Sequence, residues 1–432
     1  MCVTPVDPLC NLQAAKEASG SPHIPMAKLR IGTSYWVDQF TGAAPRHPAL
    51  RGTHHADIAV IGGGITGCLA AHAFVSAGFS VLLLEGQQIA RGSTAASTAL
   101  LMQEPDLDLR DLAARYGTRR ARDVWSRSAK SVRGLVALLR RLRISTDLQE
   151  VRSVYWTSRA DLARDLQREL HRRHAAGIAG RWLNARGLER LIGVGGAGGI
   201  LTHGNAQVDP YRACLGLAAR LRAAGVKIYE RSPVRRLRGS SHGVRIDLDT
   251  GEVSAQWAVI ATGYATPEFK PLAGRFRMSS TYVITTAPLD RRLRRRMAAD
   301  VIWWDTETPY HYSRWTPDRR VLFGGRDIPQ VSKRARSSIL LRQTEQLRAD
   351  LTRVYPALEH TPIDYAWDGL FATTRDGLPY IGTHRRYPRQ LFALGYGGNG
   401  MTFGFLAAEV LINTVRNTLS ASDRFFGFHR IR

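Results

Sequence analysis

The sequence predicts an α/β chain in which a mostly parallel sheet is interleaved with an antiparallel-sheet α+β unit. Three observations carry this prediction. Between residues 57 and 85 an apolar run, a glycine turn, a helix pattern and a second apolar run follow in order. Strand-like alternation returns in patches across 270–365. Near the end, an apolar run at 391–394 meets a glycine-rich turn and a last helix pattern. The length agrees, since 432 residues exceed one typical core and make two domains the natural expectation.

The first of these stretches carries the most chemistry. Residues 57–61 suit a buried parallel strand. Gly62, Gly64 and Gly67 form G-x-G-x-x-G at its end, and Ile65 and Thr66 open a helix that runs to Ala77 and stops at Gly78. Residues 81–84 make the next strand, and Glu85 closes it. Gly62 permits the tight turn, Gly64 lets a pyrophosphate approach the backbone, and Gly67 lets the helix lie close on the strand. Unpaired N–H groups at the helix start favour phosphate. Glu85 falls where a carboxylate accepts hydrogen bonds from both ribose hydroxyls; a 2′-phosphate would meet like charge, which disfavours NADP. A glycine turn alone says little. Strand, helix, strand and acid together predict a Rossmann-like dinucleotide site of the FAD/NAD(P)-binding type. After Glu85 and Gly86, the small polar stretch that holds Arg91, Gly92, Ser93, Thr94 and Ser97 can run a second backbone segment along the cofactor. NAD ends too early to need it, whereas FAD carries a ribityl chain and a three-ring flavin.

Three further stretches stand beside these: Ser34-Tyr35-Trp36 before the first strand, Val259-Ile260-Ala261-Thr262-Gly263, and the pair Asp376-Gly377-Leu378-Pro379-Tyr380-Ile381-Gly382 with Gly395-Tyr396-Gly397-Gly398-Asn399-Gly400. On these residues the sequence resembles the FAD-dependent amine and amino-acid oxidoreductases of the D-amino-acid oxidase, glycine oxidase and sarcosine oxidase type. Its closest look is to the gamma-glutamylputrescine-oxidase-like branch. The resemblance spans residues 30–415. It implies FAD as cofactor and a small-molecule amine as substrate. It also implies a discontinuous FAD-binding domain at 29–105, 198–269 and 366–432, with a substrate domain at 106–197 and 270–365. Residues 1–28 read as a disordered tail, with Met26 as an alternative start.

Composition sets limits on this reading. No run of 18 apolar residues occurs, and the first residues lack the pattern of a secretory signal. Cys2, Cys10, Cys68 and Cys214 show neither metal nor disulfide spacing; Cys68 and Cys214 read as small buried hydrophobes, which suits a cytoplasmic protein. The formal charge of +25 is mostly arginine, since only six lysines occur. A solvated basic surface is the plainer account; docking on nucleic acid is disfavoured, and peripheral contact with the inner face of a membrane stays open.

The remaining elements follow from pattern. Residues 106–143 read as two amphipathic helices with basic outer faces, 151–157 as a strand and 160–174 as a third helix. His171 and His174 lack the partners of a metal site, and no metal is expected. Gly193 to Gly199 reads as a domain crossing. Asp209 caps a helix with Pro210 at its first position, ending at Gly225. A strand at 226–229 precedes Ser232-Pro233-Val234, and the resemblance gives the Val234 backbone to adenine. Residues 244–248 and 253–257 form a hairpin that leads through 258–260 to Thr262 and Gly263 beside the dinucleotide. Strands are expected at 282–286, 301–304, 310–314 and 321–324, and helices at 291–299 and 338–355. Residues 367–382 are expected to return to the cofactor domain. At the final turn Gly398, Asn399, Gly400 and Met401 bring N–H groups to the flavin pyrimidine edge, with Asn399 either touching ligand or capping the helix.

The expected reaction is hydride transfer from a carbon beside an amine nitrogen to FAD, followed by hydrolysis of the imine. His311, Tyr312 and Arg314 are the candidate catalytic residues, with Tyr310, Tyr282, Trp303 and Trp304 as aromatic lining. Two departures from the resembled pattern stand out. Phe371 occupies the position where amino-acid oxidases hold substrate carboxylate with an arginine, so Arg314 or Arg326 would have to grip any acid group. No lysine lies between 271 and 332, where sarcosine-oxidase-type members use one to activate oxygen. The acceptor is therefore O2 or another carrier, such as a membrane quinone. The rival reading is a flavoprotein that binds or modifies RNA.

Overall fold

The computed structural model describes residues 30–264, 269, 272, 274–295, 297–298, 300–332 and 334–430. The expected tail and the alternative start at Met26 lie outside the described residues.

The parallel sheet runs Tyr380–His384, Tyr387–Leu394, Gly251–Gly263, Gly52–Ile61, Val81–Leu84, Lys227–Tyr229. Its centre is Gly251–Gly263, parallel to Gly52–Ile61 on one side and to Tyr387–Leu394 on the other. Val244–Leu248 pairs antiparallel with the start of that strand, in the expected hairpin register with Val244 opposite Ala255. The hairpin's second arm continues without a break into the buried run that ends at Thr262 and Gly263. Helices Ile65–Ser76, Pro210–Ala223 and Gly400–Val415 pack on the sheet, and Asp209 accepts from the N–H of Tyr211 and of Arg212 as expected.

The second sheet runs Arg30–Gly32, Ile363–Thr374, Phe276–Thr286, Val321–Pro329, Tyr312–Trp315, Val301–Asp305, Gln149–Thr157, Gly198–Gln207, Leu100–Leu101. Its pairings are antiparallel except where Val301–Asp305 runs parallel to Gln149–Thr157. Two boundaries differ from the sequence reading. Gly198–Gln207 is a strand of this sheet, not part of a crossing. A Cβ on Gly198 would lie 2.1 Å from the Trp182 ring, so the glycine makes room for a tryptophan inside a strand. The chain crosses to the parallel sheet later, at Asp209 and Pro210. Likewise Ile363–Thr374 stays in the second sheet, locked along Phe276–Thr286, and the crossing comes at 375–379.

The pleat divides the second sheet's side chains between two faces. Through successive pairings Tyr155, Trp304, Tyr312, Gly324, Val283 and Trp367 share one face. That face looks to the parallel-sheet unit, since Trp367 Nε1 donates to the Ala96 carbonyl at 2.9 Å. Trp303 and Phe323 point the other way and pack with Leu347, Leu351 and Tyr355 from the helix Arg336–Val354 and its end. In the stretch expected helical at 291–299, the described helix is Arg291–Arg294. Among the described residues no helix is long and apolar enough to cross a membrane.

Gly67 shows how tightly the first helix meets its strand: a Cβ there would lie 1.8 Å from the Gly62 carbonyl oxygen. Neither group can yield, because both are backbone. Gly67→Ala is expected to lower stability by roughly 2–3 kcal/mol and to reduce dinucleotide uptake, read by thermal melting and bound-cofactor content.

Candidate functional site

The glycine turn sits at the carboxyl ends of the parallel strands, where α/β sheets bind their ligands. Gly62 adopts φ +112° and donates to the Leu84 carbonyl at 2.8 Å. Glu85 lies beside it and accepts from Gly63 N–H and Gln87 N–H, each at 2.7 Å. Burial raises the Glu85 pKa, and those N–H groups oppose the rise. Glu230, not singled out from sequence, accepts from Ile89 N–H at 2.9 Å and His47 N–H at 3.2 Å, and so fixes the loop beyond Glu85. Gly86 lies in that loop, and Val234 opens the next strand. Behind the turn, buried Cys68 and Cys214 lie with sulfurs 3.7 Å apart.

The second backbone segment crosses in front. Ser93 Oγ donates to the Leu370 carbonyl at 2.8 Å, and Thr94 Oγ1 accepts from Ile65 N–H at 3.0 Å. Ser97 Oγ accepts from Ala99 N–H at 3.0 Å, and the Arg91 guanidinium lies over the Tyr211 ring at 5.3 Å. These side chains hold the segment in place. On the far side Thr262 Oγ1 donates to the Tyr264 carbonyl, and Gly263 adopts φ +84°. Asn399 precedes the helix Gly400–Val415 but does not cap it with its side chain; Nδ2 donates to Asp106 Oδ1 at 2.7 Å. Gly398 N–H donates to Asp106 Oδ2 at 2.7 Å, and Met401 is buried.

The open positions test whether FAD fits. A Cβ on Gly64 would meet only the Thr94 hydroxyl, at 3.1 Å; on Gly263 or Gly400 it would meet nothing within 4 Å. Three unfilled backbone positions at the ends of adjacent parallel strands, two of them at helix starts, suit a long dinucleotide laid across the sheet edge.

Above this edge, the second sheet contributes a polar group. Thr281 Oγ1 and Tyr312 Oη are 3.0 Å apart, and the Tyr310 and Tyr312 rings are 5.9 Å apart. Tyr312 lies across its neighbouring strand because Gly324 leaves it room; a Cβ there would sit 2.4 Å from the ring. A Cβ on Gly398 would stand 3.2 Å from both Tyr310 Oη and Asp106 Oδ1, which brings strand, turn and carboxylate together. Asp106 keeps exposed surface beside Gly398 and the Tyr310 hydroxyl. The surrounding protein first, and the charge of Asp327 less, raise Asp106 to about 6 against the N–H groups of Gly398 and Asn399, which lower it. Burial likewise lifts Asp327 to about 6. Both phenols are held well above their usual range, first by burial and then by these carboxylates.

Two candidate catalytic residues lie elsewhere. Alternation turns His311 to the opposite face, stacked on Phe323, with Nδ1 2.8 Å from Asp305 Oδ2 and Nε2 3.2 Å from Asp350 Oδ2. Burial alone would lower its pKa, but the two carboxylates outweigh burial and raise it to about 9. An imidazolium so held cannot serve as a base at neutral pH. Arg314 is buried; its NH1 donates to the carbonyls of Thr98 (2.9 Å), Ala99 (3.2 Å) and Val208 (2.8 Å), and it lies over Trp36 at 5.0 Å. Its Nε donates to the Trp315 carbonyl at 3.2 Å, and through NH1 it ties two chain segments to the second sheet. Arg326 is held by Asp350 at 2.6 and 2.9 Å. Of the expected aromatic lining, Tyr310, Tyr312 and Trp304 share the cleft face, whereas Tyr282 and Trp303 fill the core beneath the long helix. His171 and His174 bond to the carbonyls of Gln167 and Gly180.

A profile of the family described as FAD dependent oxidoreductase matches residues 57–414. The chain is 26% identical over 404 residues to gamma-glutamylputrescine oxidoreductase of Escherichia coli (strain K12), covering 91% of each chain. It is 24% identical over 371 residues to glycine oxidase of Bacillus licheniformis, covering 83% of this chain and 92% of that one. Among solved structures, glycine oxidase from Geobacillus kaustophilus has TM-score 0.72 at 21% identity, over 87% of this chain and 98% of that one. L-amino acid deaminase from Proteus myxofaciens has TM-score 0.74 at 15% identity, over 93% and 98%. These structural likenesses concern the fold.

Two outcomes are expected from the displaced residues. The raised pKa of His311 stabilises the fold fully below the ordinary histidine value near 6.5 and is lost as pH rises through about 9. Stability should fall by on the order of 3 kcal/mol across that window, and His311→Gln should flatten the fall in melts taken from pH 6 to 9.5. Arg314→Met should destabilise by on the order of 3 kcal/mol, because it strands buried carbonyls, while substrate KM of the folded fraction stays unchanged.

Proposed function

The chain belongs to the FAD dependent oxidoreductase family, and on that premise we propose that it oxidises the C–N bond of a small amine or N-substituted amino acid. The observation that carries this reading is the apposition at one cleft: open backbone at Gly64, Gly263 and Gly400 on the parallel-sheet side, with Tyr310, Tyr312, Thr281, Asp106 and Asp327 facing it. When bound, FAD supplies the two-electron acceptor, taking hydride from the carbon beside the nitrogen. The chain's own residues bind, orient and dry the substrate. Tyr312 is held by Thr281 with its phenol neutral, so it acts as a hydrogen-bond partner. Asp106 and Asp327 are ionised above about pH 6 and accept from an ammonium. The amine gives up its proton before hydride leaves, and water then cleaves the imine to a carbonyl compound and the released amine.

The relatives' names support an amine substrate: one acts on gamma-glutamylputrescine, the other on glycine. Phe371 stands where a carboxylate-binding arginine is expected, and Arg314 and Arg326 are engaged with other groups, which weighs against a plain amino acid gripped by its carboxylate.

The test is an anaerobic screen of amines and N-substituted amino acids, following loss of flavin absorbance. Reduction by at least one small amine is expected, with Tyr312→Phe lowering kcat/KM by about tenfold, the equivalent of one hydrogen bond. Reduction only by polynucleotide-linked substrates, or by nothing in the panel, would contradict the reading. In air, hydrogen peroxide well below one per turnover is expected, since no lysine lies between 271 and 332 to activate oxygen.

A further inference from the structure

We propose that the substrate is an aliphatic amine bearing a second cationic group, held in the cleft between Asp106 and Asp327. This deepens the amine-oxidising reading and rests on it for the site's location.

Asp327 reaches the cleft through a break in strand pairing. The register between Phe276–Thr286 and Val321–Pro329 shifts after Ser280, and Arg326 there adopts φ +58°. The extra residue sends Arg326 to Asp350 under the long helix and brings Asp327 beside Thr281, Tyr310 and Tyr312. The Thr281 hydroxyl supports the Asp327 carboxylate, but Oδ1 is shut off from solvent and finds no hydrogen-bond partner among the described residues. A carboxylate oxygen left so is costly unless something in the site neutralises it.

Among the described residues no cation bonds to it, and the His311 charge acts on it only from a distance. Arg326 is held on Asp350, His311 sits between Asp305 and Asp350, and Arg314 is turned to backbone carbonyls. Asp106, across Tyr310, receives only a backbone N–H and an amide N–H, from Gly398 and Asn399. Among the described residues, the cleft therefore presents two carboxylates and two phenol rings with no cationic side chain bonded to either carboxylate. One ammonium between two carboxylates leaves one of them unmatched, whereas two ammonium groups match both. The tilted tyrosine rings add faces that attract cations and suit a methylene chain between the two charges. An α-amino carboxylate would bring a third negative charge into this space.

The flavin-loaded enzyme is titrated anaerobically with α,ω-diamines of increasing chain length and with monoamines of equal length, reading the perturbation of flavin absorbance and the reduction rate. A diamine is expected to bind at least tenfold more tightly than its matched monoamine, with the ratio falling toward one in Asp327→Asn. Should that variant fail to hold flavin, Asp106→Asn gives the same reading. A wild-type ratio of one or less overturns the proposal, as does a ratio that survives both substitutions. The outcomes separate from those of the amine-oxidising reading. Reduction by monoamines and diamines alike sinks only the dication, and selective diamine binding without reduction sinks only the oxidation.

Discussion

Close backbone contact at the edge of the parallel sheet is the constraint on which the rest of this structure depends. Gly67 brings its helix against the carbonyl of Gly62, and that contact aims the helix start at the sheet edge. Adjacent strand ends carry Gly263 and, after one more turn, Gly400, both with open space where a side chain would be. A bulky residue at any of these positions would fill the cradle or push the helix off the sheet. The glycines thus leave room for a dinucleotide at the sheet edge, below the face of the second sheet.

The second sheet then sorts charge by its pleat. On the face turned to the long helix the cations are matched, His311 between two carboxylates and Arg326 on Asp350, while Arg314, on the same face as Tyr312, is bonded to backbone carbonyls. The face turned to the cleft keeps tyrosines and unmatched carboxylates. Buried pairs on the helix side satisfy one another and so fix the sheet. The cleft side leaves its charge for a ligand to complete.

Much of this was legible in the sequence because it follows from local rules. The strand–turn–helix–strand run from 57 to 85, the hairpin before the central strand and the cap at Asp209 depend on a few neighbouring residues. What was not legible depends on partners far along the chain. Gly198 resembles a loop residue until Trp182 is known to lie on it. His311 and Tyr312 differ by one position, and alternation sends them to opposite faces, which only the strand's pairing reveals. Asp327 lies beyond a register shift, where counting by twos gives the wrong face. Asp106 sits in a short connection with no pattern, and only the turn at Gly398 and Asn399 gives it a place.

The account stands on a flavin held at the sheet edge beneath the tyrosines, and the most direct measurement is cofactor content and accessibility in the purified protein. One FAD per chain is predicted, with flavin fluorescence shielded from a soluble quencher and lost on denaturation. Protein that stays colourless when FAD is supplied, or that binds flavin fully open to the quencher, would contradict it.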